Sequence, residues 1–264
     1  MPYICAHDIL GGQNSVKWFM ALKIILTLLI SACCLAYMAR PVNSAALEWH
    51  STNIQALRGY NHKIGDPHRT IFTLEHANKW KYGDNYAWID WIIPDDGHSS
   101  YYGEVSPRLS FSRLLNQDLS YGPFQDFLIS TTWEKPKHRG PRYLYGGAID
   151  WHIPGFSYFK SNAYLRDDTQ LDGSTWQLTF AWKYPFKIGT RDALIEGFSD
   201  LAGSEGTSAA NQQFVPRFLI DVGDVIKLPE QKLYAGMEWH YWNNKFGAKG
   251  ANQSAPQLQV KWVF

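Results

Sequence analysis

Acidic, basic, amide and aromatic side chains recur at alternate positions along much of this 264-residue chain, and any chemistry has to come from them. With a period of two, Glu75, Asp90, Glu104, Arg108, Asp150, His152, Lys160, Asn162, Tyr164, Arg166, Lys183, Arg217, Asp221, Glu238, His240, Trp242 and Lys261 fall on the polar face of short segments whose other face is apolar. Charged and amide groups hydrogen-bond the hydroxyls and amides of a hydrated solute, and aromatic rings stack on a planar one. Acidic and basic types are mixed, so no strong ion selectivity follows. A structural role stays open for every charge, because opposed Arg/Lys and Asp/Glu rows also pair with each other and hold a cavity in shape. Tyr164 and Trp242 point more firmly to solute contact, since an inward aromatic ring has no lipid to face.

Covalent chemistry has weaker support. His98-Ser99-Ser100, with Asp95 and Asp96 nearby, and His50-Ser51 supply the residue types of a hydrolase. Turns collect Asp, Gly, His and Ser for backbone reasons alone, and the first group lies in a turn-rich stretch. The nine His residues show no tight spacing with carboxylates, so neither a metal nor a cofactor is expected.

The elements that position these groups are strands. In Gly103 to Ser112, Val105, Pro107, Leu109 and Phe111 oppose Glu104, Ser106, Arg108, Ser110 and Ser112. In Thr175 to Tyr184, Trp176, Leu178, Phe180, Trp182 and Tyr184 oppose Gln177, Thr179, Ala181 and Lys183. In Leu233 to Asn244, Leu233, Ala235, Met237, Trp239 and Tyr241 oppose Tyr234, Glu238, His240, Trp242 and Asn244. The final run puts Leu258, Val260, Trp262 and Phe264 against Gln257, Gln259 and Lys261. Helices need apolar recurrence every three to four residues, and these segments lack it. Further strands are expected near 48–60, 68–78, 85–93, 125–135, 142–153, 156–166, 190–200 and 214–226, about twelve in all. Turn signals separate them, among them Gly83-Asp84 and Pro185 to Gly189.

Apolar-out, polar-in strands ending on an aromatic residue describe an all-β, antiparallel transmembrane barrel of about 12 strands in the bacterial outer membrane. A secreted sandwich or soluble barrel also alternates, with its apolar face inside. Trp91, Trp133, Trp151, Trp176, Trp182, Trp239 and Trp262 lie near the ends of the expected outward faces and favour lipid, as interface girdles do. Mean hydropathy of −0.32 with 16% aromatic residues fits half of each strand facing water. Net charge is +1 with no polybasic tract, which argues against a nucleic-acid partner.

Residues 1–46 read as a secretory signal peptide: Lys17 and Lys23 precede an apolar run to Met38, and Asn43-Ser44-Ala45-Ala46 supplies a cut site. Met20 is an alternative start; a membrane anchor and a lipoprotein signal at Cys33 are the competing readings. All three Cys precede the cut, so residues 47–264 hold no disulfide. From a periplasmic start, the polar stretches Gly203 to Gln213 and Lys245 to Ala255 fall outside the cell, while Arg113 to Phe124 becomes an unusually long periplasmic connection. Pro107 and Pro216 lie on outward faces and predict a bulge or irregularity.

Four stretches resemble one family. Tyr102 to Phe127 reads YGEVSPRLSFSRLLNQDLSYGPFQDF, Arg69 to Trp91 reads RTIFTLEHANKWKYGDNYAWIDW, and Leu144 to Phe156 reads LYGGAIDWHIPGF. With Lys232 to Phe264, they resemble the Tsx/OmpK family of outer-membrane nucleoside-specific channel-forming proteins, its OmpK-like branch most. The resemblance implies a twelve-stranded monomeric barrel whose narrow pore, lined by aromatic and ionisable groups, passes nucleosides. It also implies a surface on which bacteriophage can dock. The alternative is a surface receptor or structural barrel without solute specificity; a lipid hydrolase ranks behind both.

Overall fold

The structure, a computed structural model, describes residues 47–264. The signal peptide lies outside them. Among the described residues twelve strands form one antiparallel sheet: β1 (Leu47–Gly59), β2 (Arg69–Trp80), β3 (Gly83–Pro94), β4 (Ser100–Ser110), β5 (Phe124–Pro136), β6 (Arg142–Trp151), β7 (Tyr158–Asp168), β8 (Thr175–Ile188), β9 (Arg191–Ala202), β10 (Asn211–Asp221), β11 (Leu233–Asn243) and β12 (Gln253–Val263). Each pairs with its chain neighbours, and β1 closes on β12 from Asn53↔Val263 to Gly59↔Gln257. Closure leaves no edge strand, the condition for crossing lipid with β-structure. Eleven residues, the length of β4, rise about 36 Å and span roughly 28 Å at the usual tilt, close to a bilayer core.

Register fixes the faces. Ile54, Leu74, Ile89, Gly103 and Val105 lie on the outward side of β1 to β4, and Met237, Leu258 and Val260 on that of β11 and β12. Large apolar side chains there are open to the surroundings, Trp91 and Leu258 each by 61%. The interior is polar instead: Asn53, Gln55, Glu75, Arg108, Ser130, Glu134, Glu196, Glu238 and Gln257 are buried. A soluble fold has the opposite polarity, so the sandwich alternative fails. The seven girdle tryptophans all fall on outward positions of the register.

Several boundaries differ from the sequence reading. β8 runs through Pro185 to Ile188, because Tyr184, Phe186 and Ile188 continue the outward alternation; the turn is Gly189 and Thr190. The β2–β3 turn is Lys81 and Tyr82, and Gly83-Asp84 already belongs to β3. Phe111 leaves the strand for a short helix, α1 (Phe111–Leu115), whose first turn is capped by the Ser110 hydroxyl. The expected strand 214–226 ends at Asp221, and residues 223–226 form a 3-10 turn. Neither proline shifts the register. Pairing to the next strand is interrupted between Val105 and Arg108 and between Phe214 and Arg217, then resumes in phase. The irregularity is therefore a gap in the ladder, as a missing N–H dictates.

Leu47 and Phe264, the termini of the described residues, lie at one rim. The opposite rim carries connections 60–68, 95–99, 137–141, 169–174, 203–210 and 244–252, and the termini's rim carries 81–82, 111–123, 152–157, 189–190 and 222–232. The long connection 111–123 is ordered by α1 and by Asp126, which accepts from the Ser110 and Ser112 hydroxyls. The outward face is also not apolar throughout. Near the termini's rim Thr52 bonds His76, His76 bonds Asn78, and Asn85 donates to Asn78, a polar chain crossing β1 to β3.

Candidate functional site

The lumen holds three groups of ion pairs and a cluster at one mouth. In the first group Arg217 of β10 donates to Glu238 Oε2 at 2.7 Å and to Glu75 Oε1 at 3.1 Å. Glu75 lies four strands away around the barrel, so this bridge ties distant walls together. Asn53 and Gln257 donate to the same two carboxylates, and Lys261 donates to Glu196 at 2.5 Å. In the second, Arg108 grips Asp84 through Nε at 2.8 Å and Asp150 through Nη1 at 2.8 Å, while Lys160 reaches Asp84 at 3.1 Å. A cavity of about 390 Å³ opens beside it at the termini's rim, lined by Asp84, Ser110, Arg113, Asp118, Asp126 and Asp150. Towards the other rim Arg142 pairs with Glu134 at 3.0 Å and Asp168 at 2.7 Å, and Arg166 approaches Glu205 at 3.7 Å.

Between these groups, inward carboxylates accept from hydroxyls: Asp90 from Thr73, Glu104 from Tyr102 and Asp200 from Thr179. They leave the wall between the ion-pair groups able to hydrogen-bond a solute. Tyr164 is different. Its hydroxyl is 2.7 Å from Ser130 Oγ, and the residue is only 7% exposed, so it is built into the wall beside Asn162.

At the mouth opposite the termini, Trp242 stacks on His240 with centroids 5.5 Å apart and planes 14° apart. Asn211 Oδ1 accepts from the Trp242 indole at 3.2 Å, and Gln213 is 2.9 Å from His240 Nε2. Two loop residues fold inward onto this pair. His62, from the β1–β2 loop, meets His240 edge to face at 6.4 Å. Lys245, from the β11–β12 loop, lies 5.4 Å above the Trp242 ring and donates to Gln253 Oε1. The backbone on either side of Lys245 is left-handed, at Asn244 (φ 50°) and Phe246 (φ 57°). That conformation is costly for a bulky residue and persists only where the surroundings enforce it. The result is rings, amides and a cation within one small volume, the set that holds a planar heterocycle by its face and edges.

The register places Glu75, Asp90, Glu104, Arg108, Asp150, Lys160, Asn162, Tyr164, Arg166, Lys183, Arg217, Asp221, Glu238, His240, Trp242 and Lys261 on inward positions. His152 is a correction. β6 ends at Trp151, and His152 is an exposed turn residue whose N–H donates to Pro123 O. Asp221 faces inward but serves the turn that follows, accepting from the N–H groups of Gly223 and Gln231. The sequence reading missed His62 and Lys245, since a loop carries no period from which inward direction is read, and Gln253, which opens β12 in phase with Gln257 inside the stretch read as an outer loop. The one signal was Gly59, where an added Cβ would meet His62 Nε2 at 2.4 Å. The hydrolase pairings do not assemble: His50 and Ser51 fall on opposite faces, and no hydrogen bond joins His98 to Ser100 among the described residues.

No family model matches this chain. Two curated relatives are similar in part. The nucleoside-specific channel-forming proteins Tsx of Klebsiella aerogenes and Klebsiella pneumoniae are each 26% identical over 98 residues, covering 33% of this chain. The match spans about a third of the length of these relatives, 33% in each case. Among solved structures, the outer membrane protein Omp33 of Acinetobacter baumannii is 10% identical with a TM-score of 0.40, covering 83% of this chain and 100% of its own. The β domain of the Bordetella autotransporter BrkA is 8% identical with a TM-score of 0.35, covering 83% and 99%. The closed barrel, apolar outside and polar inside, is that of a bacterial outer-membrane protein.

Proposed function

We propose that this barrel is a passive channel for small hydrophilic solutes, nucleosides first. The observation that carries the reading is the mouth cluster, in which Trp242 stacked on His240 stands among Asn211, Gln213 and Gln253. The base lies against the rings and amides, and the ribose hydroxyls pass to carboxylates such as Asp90 and Glu104 further in. Binding at several weak sites in series lets a solute enter and still leave. Partial similarity to nucleoside-specific channel-forming proteins supports the same substrate class. Residues 1–46 are removed on export, the barrel acts as a monomer, and the connections opposite the termini face outward, where a bacteriophage can dock.

Single-channel recording in a planar bilayer tests this reading. Small open steps that adenosine or thymidine blocks saturably are expected. Steps blocked only by an unrelated solute would keep the pore and move the substrate.

One observation favours a second reading, a surface receptor or structural barrel. The Arg217–Glu75 and Lys160–Asp84 bridges join strands four apart, as in a barrel that its own side chains hold shut. Folded protein that gives no steps yet retains phage binding would establish it.

A further inference from the structure

The mouth cluster has an imbalance of charge that recognition of a neutral nucleoside does not require. Arg108, Arg142, Arg217 and Lys261 in the lumen each meet a carboxylate within 2.5–3.0 Å, and Arg166 lies 3.7 Å from Glu205. Lys245 is 3% exposed, and its ammonium meets the Gln253 amide oxygen, the Trp242 ring and the Phe246 ring instead. Two more polar residues stand beside it, Arg69 donating through Nη2 to the Ile64 and Asp66 carbonyls and His62 lying against the Gln253 and Gln257 amides. His62 is 4% exposed with Nε2 unbonded, and the buried Nε of Arg69 is unbonded as well. The loop carboxylates near Arg69, Asp66 and Asp96, accept from the N–H groups of His68, Asp96 and His98 and partly offset the Arg69 charge, and neither meets Lys245. Taking an ammonium out of water costs several kcal/mol unless an anion joins it, and the unbonded Arg69 Nε–H is a further buried donor that an anion would satisfy.

We propose that this mouth binds a nucleoside that carries a phosphate monoester, its base on Trp242 and its phosphate on Lys245 and Arg69. The inference rests on the nucleoside-channel reading and narrows it to anionic solutes. Each component has a stated partner: the ring takes the base, the amides of Gln213 and Gln253 its edges, and the Lys245–Arg69–His62 side the phosphate.

Titration of the loop groups supports the geometry. Burial and the nearby Arg69 charge push the Lys245 ammonium down to about 7. Burial, Arg69 and Lys245 hold His62 neutral, pushed down to about 3. His240 faces both from β11 and adds no negative charge. A lysine titrating near 7 is half charged at pH 7 and about 3% charged at pH 8.5, so an anion that needs it charged binds about 15-fold more weakly at the higher pH. The phosphate itself, with its second ionisation near 6, is mostly a dianion at both.

Calorimetric titration of the folded full chain in detergent, with adenosine, adenosine 5′-monophosphate and inorganic phosphate, tests the proposal without needing conductance. Expected are monophosphate binding at least tenfold tighter than adenosine at pH 7, loss of most of that gap at pH 8.5, and its closure in Lys245→Gln. The circular dichroism and thermal transition of the variant establish that it folds. Monophosphate binding without adenosine binding would uphold the anionic site and sink the neutral-nucleoside reading. Equal affinities for both, or a gap that Lys245→Gln and pH leave untouched, would overturn the anionic site while leaving the nucleoside reading standing. Binding of inorganic phosphate alone as tightly as the monophosphate would overturn the role given to Trp242. Binding of none of the three would overturn both readings.

Discussion

Arg217 gives the sharpest test of what holds the lumen together. Its guanidinium donates to Glu238 at 2.7 Å and Glu75 at 3.1 Å, and lies 4.0 Å from Glu196. Arg217→Met keeps most of the apolar stem and removes the charge. Glu196 keeps Lys261, but Glu75 and Glu238 retain only neutral partners, the Asn53 amide and the Tyr86 side chain on Glu75 and the Gln257 amide on Glu238. Removing one partner of a buried pair costs about 3–5 kcal/mol, because the remaining charge is left uncompensated. The side chains here are 6–13% exposed, so water offsets part of the loss, and about 3 kcal/mol is expected. The assay is reversible urea unfolding in detergent, with Glu75→Gln as the second arm of a cycle. Glu75→Gln should rescue part of the Arg217→Met loss, giving a coupling of about 1–3 kcal/mol. A single-variant loss below about 1 kcal/mol, or a coupling indistinguishable from zero, would refute the claim that this bridge is a structural tie. The same variant should widen the conducting step, since the bridge ties strands four apart.

Other substitutions probe the remaining surfaces. Met237→Arg puts a charge in the outward apolar band, next to Leu258 and Phe218; urea unfolding in lipid vesicles should show a loss of about 2–4 kcal/mol. Gly236→Val should stop barrel formation, because an added Cβ would lie 1.9 Å from the Phe218 carbonyl oxygen across the ladder; circular dichroism and protease resistance after refolding report it. Trp242→Leu removes the stacking platform over His240 and should weaken adenosine block of conductance about fivefold, the lower end of base–aromatic stacking. Unchanged block would move the base-binding site elsewhere in the lumen.

Resemblance to a channel family and the alternation of polarity pointed to the same barrel, yet for different reasons. Alternation is a local response to two solvents: a strand with lipid on one side and water on the other must repeat every two residues. That is why the faces of Thr175 to Tyr184 and Leu233 to Asn244 were legible from the residues alone. It is also why β8 was cut short where Pro185 looked like a turn signal, although Phe186 and Ile188 kept the period. His152 was misplaced for a related reason, since the alternation gives the facing of a residue only while the strand lasts.

The sequence by itself determined that the chain is a strand-crossing barrel and, within the regular strands, which face meets lipid and which lines the lumen. Which lumen groups meet was decided only by the tertiary structure. Arg217 and Glu75 are 142 residues apart in the chain, and Lys160 and Asp84 are 76 apart. Their meeting depends on the number of strands, their stagger and the curvature at closure, none of which any single strand encodes. The inward fold of His62 and Lys245 was likewise a tertiary decision, because a loop has no repeating solvent contrast to set its direction. A polar chain on the lipid side, from Thr52 through His76 and Asn78 to Asn85, completes the contrast. Each of these residues reads as a misplaced polar group along its own strand, and only lateral pairing of three strands satisfies them.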